Sequence, residues 1–137
     1  MKPWSFMPPH FVAIVVVYCG FIYYLSSRSS FPFEAPFPLF DKLVHMCLFG
    51  GLSATVALGL HRAQRRYSAL ALVIVPAAFS TLYGLTDEAH QLFVVSRTFA
   101  VGDLIADAFG ATLAALLVLS VEGHGRAAGR LEETHRR

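Results

Sequence analysis

Apolar residues dominate four long runs of this chain: Phe11–Leu25, Leu43–Leu60, Tyr67–Thr86 and Leu104–Val121. Between Pro3 and Ser27 there is no Asp, Glu, Lys or Arg. Crossing a hydrocarbon core about 30 Å thick takes about 20 apolar residues of helix. Each run approaches that length. None alternates apolar with polar residues, as a strand of a membrane barrel would. Lipid offers no water to backbone groups, so runs that are apolar all round satisfy themselves as helices. The pattern predicts an all-α, polytopic integral membrane protein with four transmembrane helices.

Composition agrees. Only 15% of the residues are charged, against about 25% in a soluble domain. A chain of 137 residues is too short to hide four such helices from water inside a soluble bundle. The first run follows Lys2 but lacks a small-residue cleavage signature, so it is read as a retained span. Cys19 and Cys47 fall inside predicted spans, where a free thiol behaves as a small apolar group. No repeat or low-complexity tract is present.

Four spans put both termini on one side. Lys2, Arg62, Arg65, Arg66, Arg126, Arg130, Arg136 and Arg137 share that side, leaving Arg28, Lys42 and Arg97 on the other. The positive-inside rule then predicts an N-in, C-in arrangement, with both termini and the Arg62–Arg66 loop in the cytoplasm. The basic excess answers to topology and gives no reason to expect nucleic acid. Residues 1–121 form the membrane domain of this reading. Residues 122–137 form a flexible basic cytoplasmic tail suited to anionic lipid. The outer loop Ser26–Phe40 carries Pro32, Pro36 and Pro38, which break a helix. Its Phe31, Phe33, Phe37 and Phe40 suit an interfacial anchor, or a lid over the outer site.

The polar residues of the membrane region gather at the outer span ends. Asp41 and His45 lie four apart at the start of span 2 and share a helix face. A carboxylate beside an imidazole can fix its tautomer. Lys42 sits between them in sequence. At the end of span 3, Asp87 and Gln91 share a face, and Glu88 and Gln91 are three apart. Arg97 follows in the next loop. Asp103 and Asp107 stack at the start of span 4. Isolated charges at this depth are costly, so spans 2, 3 and 4 are expected to converge here. Asp107, one turn inside, needs a partner among Lys42, Arg97 and His45, and Arg97 is the expected partner of Asp103. Gly50 and Gly51, and the Gly110/Ala114 pair, permit close helix approach.

These residues carry a resemblance. Asp41-Lys42-x-x-His45, then Tyr83-Gly84-x-x-Asp87-Glu88-x-x-Gln91-x-Phe93-x-x-x-Arg97, then Asp103-x-x-x-Asp107-x-x-Gly110, resembles the VanZ-like family of bacterial membrane proteins. Ser26-Ser27 after span 1 fits it too. The likeness covers roughly residues 11–121. It implies a small multi-span protein of the cell envelope, in a family named for an accessory protein of glycopeptide (teicoplanin) resistance. Asp107 stands where the family usually carries Asn. Asn and a carboxyl group share a shape and a hydrogen-bonding role, so Asp107 is read as a polar bonding position and not as a metal ligand or base.

Three functions compete. In the first, Asp41, Lys42, His45, Asp87, Glu88, Gln91, Arg97, Asp103 and Asp107 form an outer site. It would bind a lipid headgroup, a lipid-linked wall precursor or an amphipathic antibiotic, with Lys42 and Arg97 on phosphate. In the second, the protein is a membrane-embedded hydrolase or transferase acting on a lipid-linked phosphate, with His45 as base and Glu88 as acid. A variant of it places a divalent metal on Asp41, His45, Glu88 and Asp107. No HExxH-type or GxSxG motif supports it, and the pattern assigns no metal or cofactor. The third, a transporter, lacks an inverted repeat. A purely structural polar clasp is the fourth account of the same residues.

Overall fold

The structure is a computed structural model that describes residues 6–29, 36–63 and 66–135, with side chains to His124. Four helices follow one another: α1 Pro9–Ser26, α2 Phe40–His61, α3 Ala69–Gln91 and α4 Val101–His135. Among the described residues there is no strand. All four helices are long and apolar enough to span a membrane. Each expected span lies within one of them, except that α3 starts two residues after Tyr67. The helices run further than the apolar runs. α3 continues past Thr86 to Gln91, which carries the polar residues Asp87, Glu88 and Gln91 on helix rather than loop. α4 continues past Val121 to His135. Phe31, Phe33 and the rest of residues 30–35 of the loop read as an anchor or lid fall outside the described residues. So do Lys2, Arg65 and the last two residues of the tail.

Local sequence explains the helix starts. Pro8 and Pro9 open α1, where a missing N–H costs nothing. Ser68 caps α3, its hydroxyl accepting from the Ala71 N–H at 3.2 Å. Leu39 precedes α2 in the left-handed region, φ 67°, and turns the chain into the helix. Pro76 lies buried inside α3. Helix neighbours in a membrane bundle tolerate the backbone bond it removes.

α2 is the central helix. It packs most extensively on α4, and also touches α3 and α1. α1 meets α2 and α3 but not α4 among the described residues. The α2–α4 crossing is tight. A Cβ on Gly110 would collide with the backbone carbonyl of Met46, and one on Gly50 would lie 3.1 Å from the Gly110 carbonyl oxygen. Ser53 donates across the same crossing to the Ala111 carbonyl at 2.7 Å. This is the small-residue approach expected of Gly50 and Gly110. Gly51 instead makes room for the Tyr18 hydroxyl of α1.

The apolar core comprises Val15, Ile22, Phe49, Leu52, Val56, Leu60 and Leu72. Large apolar side chains also cover the outside, among them Val16, Val17 and Phe21 on α1 and Ile105, Phe109 and Leu117 on α4. Glu88 and Asp107, by contrast, have no exposed surface at all. A greasy exterior around buried carboxylates suits lipid as the solvent.

Candidate functional site

The end of the bundle where α1 and α3 finish and α2 and α4 begin carries the polar cluster. Lys42 on α2 donates to Asp103 Oδ1 on α4 at 2.7 Å. His45, one turn deeper, has its Nδ1 3.0 Å from Asp107 Oδ1. Its other nitrogen, Nε2, lies 3.9 Å from Asp103 Oδ2. From α3, Glu88 accepts the Ala100 backbone N–H through Oε2 at 2.8 Å. That bond fixes the turn opening α4, because the Ala100 carbonyl itself accepts the Asp103 N–H at 2.9 Å. Gln91 donates to Asp87 Oδ2 at 3.2 Å. Spans 2, 3 and 4 therefore converge as their charges require.

Two expected pairings are corrected. His45 does not take Asp41 as its partner. Asp41 points outward, its side chain 60% exposed, and meets Lys42 at 3.1 Å, while a buried carboxylate on α4, Asp107, holds the imidazole. Sharing a helix face is weaker than facing a neighbouring helix across a dry contact. Asp103 pairs with Lys42, not Arg97. Arg97 instead donates to the Arg28 carbonyl at 3.3 Å, joining the loop after α3 to the end of α1. Gln91 bonds Asp87, four residues back, as their shared helix face led one to expect.

Glycine matters at two places here. A Cβ on Gly84 would sit 2.5 Å from Asp107 Oδ2, and one on Gly102 would sit 3.0 Å from Lys42 Cε. The bare backbone at Gly84 makes room on α3 for the Asp107 side chain. Gly102 was not singled out from the sequence. Nothing in local spacing marks it. Ser26, which shares in the family resemblance, is buried at the end of α1. His90, read as an ordinary interfacial residue, pairs with the Ser27 hydroxyl at 3.1 Å and lies against the Tyr23 ring.

A cleft of about 320 Å³ opens beside the cluster. Ile22, Leu25, Val44 and Leu48 form its apolar wall; His45, Asp87, Gln91, Arg97 and Asp103 stand at its polar end, with Asp41 at the rim. Asp107 and Glu88 lie behind His45, outside the cleft lining. Among the described residues, His45, Glu88 and Asp103 bring one ligand atom each within 4.8 Å of one another. That group differs from the metal set considered from sequence. Asp41 is too far out, and Asp107 is occupied with the far side of the imidazole.

The fold and cluster define a multi-pass membrane protein of four helices whose buried polar residues meet at one end. The chain belongs to the VanZ/LLP1 family, whose model matches residues 4–122. Comparison with curated proteins and with solved structures gave no match.

Proposed function

We propose that the chain binds a membrane amphiphile, with the polar head at the His45–Arg97 end of the cleft and the apolar chain along Leu25, Val44 and Leu48. The observation carrying this reading is the cleft itself, apolar along its wall and polar at one end. Its volume of about 320 Å³ lies at the low end of the range for ligand sites, about 300–1,000 Å³. That suits a headgroup and the first part of a chain. Arg97 supplies donors for a phosphate-bearing head, as in a phospholipid or a lipid-linked wall precursor. An amphipathic antibiotic would enter only by its apolar tail. The excess of basic residues toward the opposite end supports reading this end as the outer face of a bacterial cytoplasmic membrane.

A second reading, hydrolysis or transfer at a lipid-linked phosphate, draws on one observation. His45 is held through Nδ1 by Asp107, with Nε2 3.9 Å from Asp103 Oδ2, and both His45 and Asp103 line the cleft. An imidazole so oriented can take a proton.

A photoactivatable phospholipid in nanodiscs tests the binding reading. Cross-links are expected to concentrate on Leu25, Val44 and Leu48. Leu48→Trp, which fills the cleft, is expected to reduce them several-fold. Labelling spread evenly over lipid-facing Val17 and Leu117 as well would sink the proposal.

A further inference from the structure

We propose that His45, Glu88 and Asp103 form a divalent-cation site at the deep side of the polar cluster, with Asp107 as the group that orients the histidine. The first support is the direction of the imidazole. With Nδ1–H donating to Asp107 Oδ1 at 3.0 Å, the Nε2 lone pair faces Asp103 Oδ2, 3.9 Å away. Two ligands each about 2.1 Å from one ion can stand at most about 4.2 Å apart. The Nε2–Oδ2 pair already meets that limit. One oxygen of Glu88 lies within 4.8 Å of a ligand atom of each of these two residues, so its carboxylate needs to close by less than about 1 Å to share an ion with them.

A second, independent observation points to a ligand. Glu88 has no exposed surface. Its Oε2 accepts the Ala100 N–H, and its Oε1 is buried without a hydrogen-bond partner. A buried carboxylate oxygen is normally paired, hydrogen-bonded or bound to metal. Asp103 likewise divides its work, Oδ1 to Lys42 and Oδ2 toward His45. The carboxylate–imidazole arrangement behind the site is the outer-shell pattern that fixes tautomer and basicity in metal-ligating histidines. One imidazole and two carboxylates suit a first-row ion such as Mn²⁺ or Zn²⁺ better than a thiophilic one. The site depends on no particular amphiphile, and it is tested without one.

The experiment uses the full chain in detergent, stripped with EDTA, freed of chelator and equilibrated with MnCl₂. About one Mn²⁺ per chain is expected, with ¹⁴N modulation from one imidazole in its spin echo. Glu88→Gln, and His45→Ala, are expected to lose binding. Asp107→Leu removes an outer-shell partner and is expected to weaken it about 10–100-fold. Glu122→Gln, at the opposite end of the bundle, is expected to bind as wild type does. Sub-stoichiometric Mn²⁺ in the wild-type chain overturns the site, and so does bound Mn²⁺ without nitrogen coupling. Full affinity in a folded Glu88→Gln variant overturns it as well. Should Glu88→Gln fail to fold, the wild-type nitrogen signature decides. Loss of the metal site would leave the cross-linking result untouched.

Discussion

The two ends of the bundle use charge in different ways. At the end where α2 and α4 begin, Lys42, His45, Glu88, Asp103 and Asp107 press together between helices, and Asp107 and Glu88 are fully buried. At the other end, Arg62 meets Glu122 at 2.8 Å with its side chain 58% exposed. Tyr67 there donates to the Phe6 carbonyl at 2.9 Å. One end spends burial on charge; the other keeps its charges where water reaches them. A bundle needing only to hold four helices would gain little from the first arrangement, since buried ion pairs seldom add net stability over apolar packing. The buried cluster is the end that carries the proposed binding site, whereas the solvent-exposed Arg62 lies at the end that collects most of the basic residues.

The comparison breaks first at the crossing between the two ends. Gly110→Val places a side chain against the Met46 carbonyl, which belongs to backbone and cannot rotate away. Overpacking of this kind costs about 3 kcal/mol, and here it would force α2 from α4 and disperse Lys42, His45, Asp103 and Asp107. Loss of monodisperse protein on size-exclusion chromatography is expected. Gly123→Val, with open space around its Cβ, is expected to behave as wild type. Normal yield and thermal stability in Gly110→Val would show that the crossing does not hold the cluster together.

A smaller effect is expected within the cluster. Asp103→Lys removes the Lys42 partner, whose charge-assisted hydrogen bond is worth about 2 kcal/mol, and sets two ammonium groups face to face. Lys42→Asp in the same chain should restore part of the lost thermal stability, read in detergent by intrinsic fluorescence or helical circular dichroism. Arg97→Asp should not. Rescue by Arg97→Asp instead would reinstate the pairing expected from sequence and undo the geometry described for Lys42.

That correction shows how far the sequence could be read. The four apolar runs made the helices legible, because lipid allows a long apolar segment little else. Gly50 and Gly110 were legible as a close approach, and the convergence of spans 2, 3 and 4 followed from the cost of lone charges at one depth. The partner of each charge was not. Spacing along one helix tells which residues share a face, and it suggested Asp41 for His45. Rotation of α4 about its axis decides that Asp107 faces the imidazole, and rotation is set by the Gly50–Gly110 contact across two helices. Gly102 was silent for the same reason. Its role is to leave room for Lys42, and that leaves no period in the chain.

The smallest effect is expected at the opposite end, and it sharpens the contrast most. Arg62→Ala removes a bridge to Glu122 that is largely open to solvent on the arginine side. Such pairs contribute about 0.2–1 kcal/mol, so the melting temperature should move far less than in Asp103→Lys. The sequence groups Arg62 with Lys2, Arg65 and Arg66 on one side of the membrane, and the positive-inside rule expects that side to be cytoplasmic. Single cysteines at Ser29 and Ala63, in a chain freed of Cys19 and Cys47, read that directly. In intact cells an impermeant maleimide is expected to label Ser29→Cys and spare Ala63→Cys, in the wild-type background and with Arg62→Ala alike, because Arg65 and Arg66 remain. Labelling of Ala63→Cys alone would invert the protein and turn the polar cluster toward the cytoplasm. A large stability loss in Arg62→Ala would show that both ends hold the fold by charge, and the distinction between a binding end and an orienting end would fall.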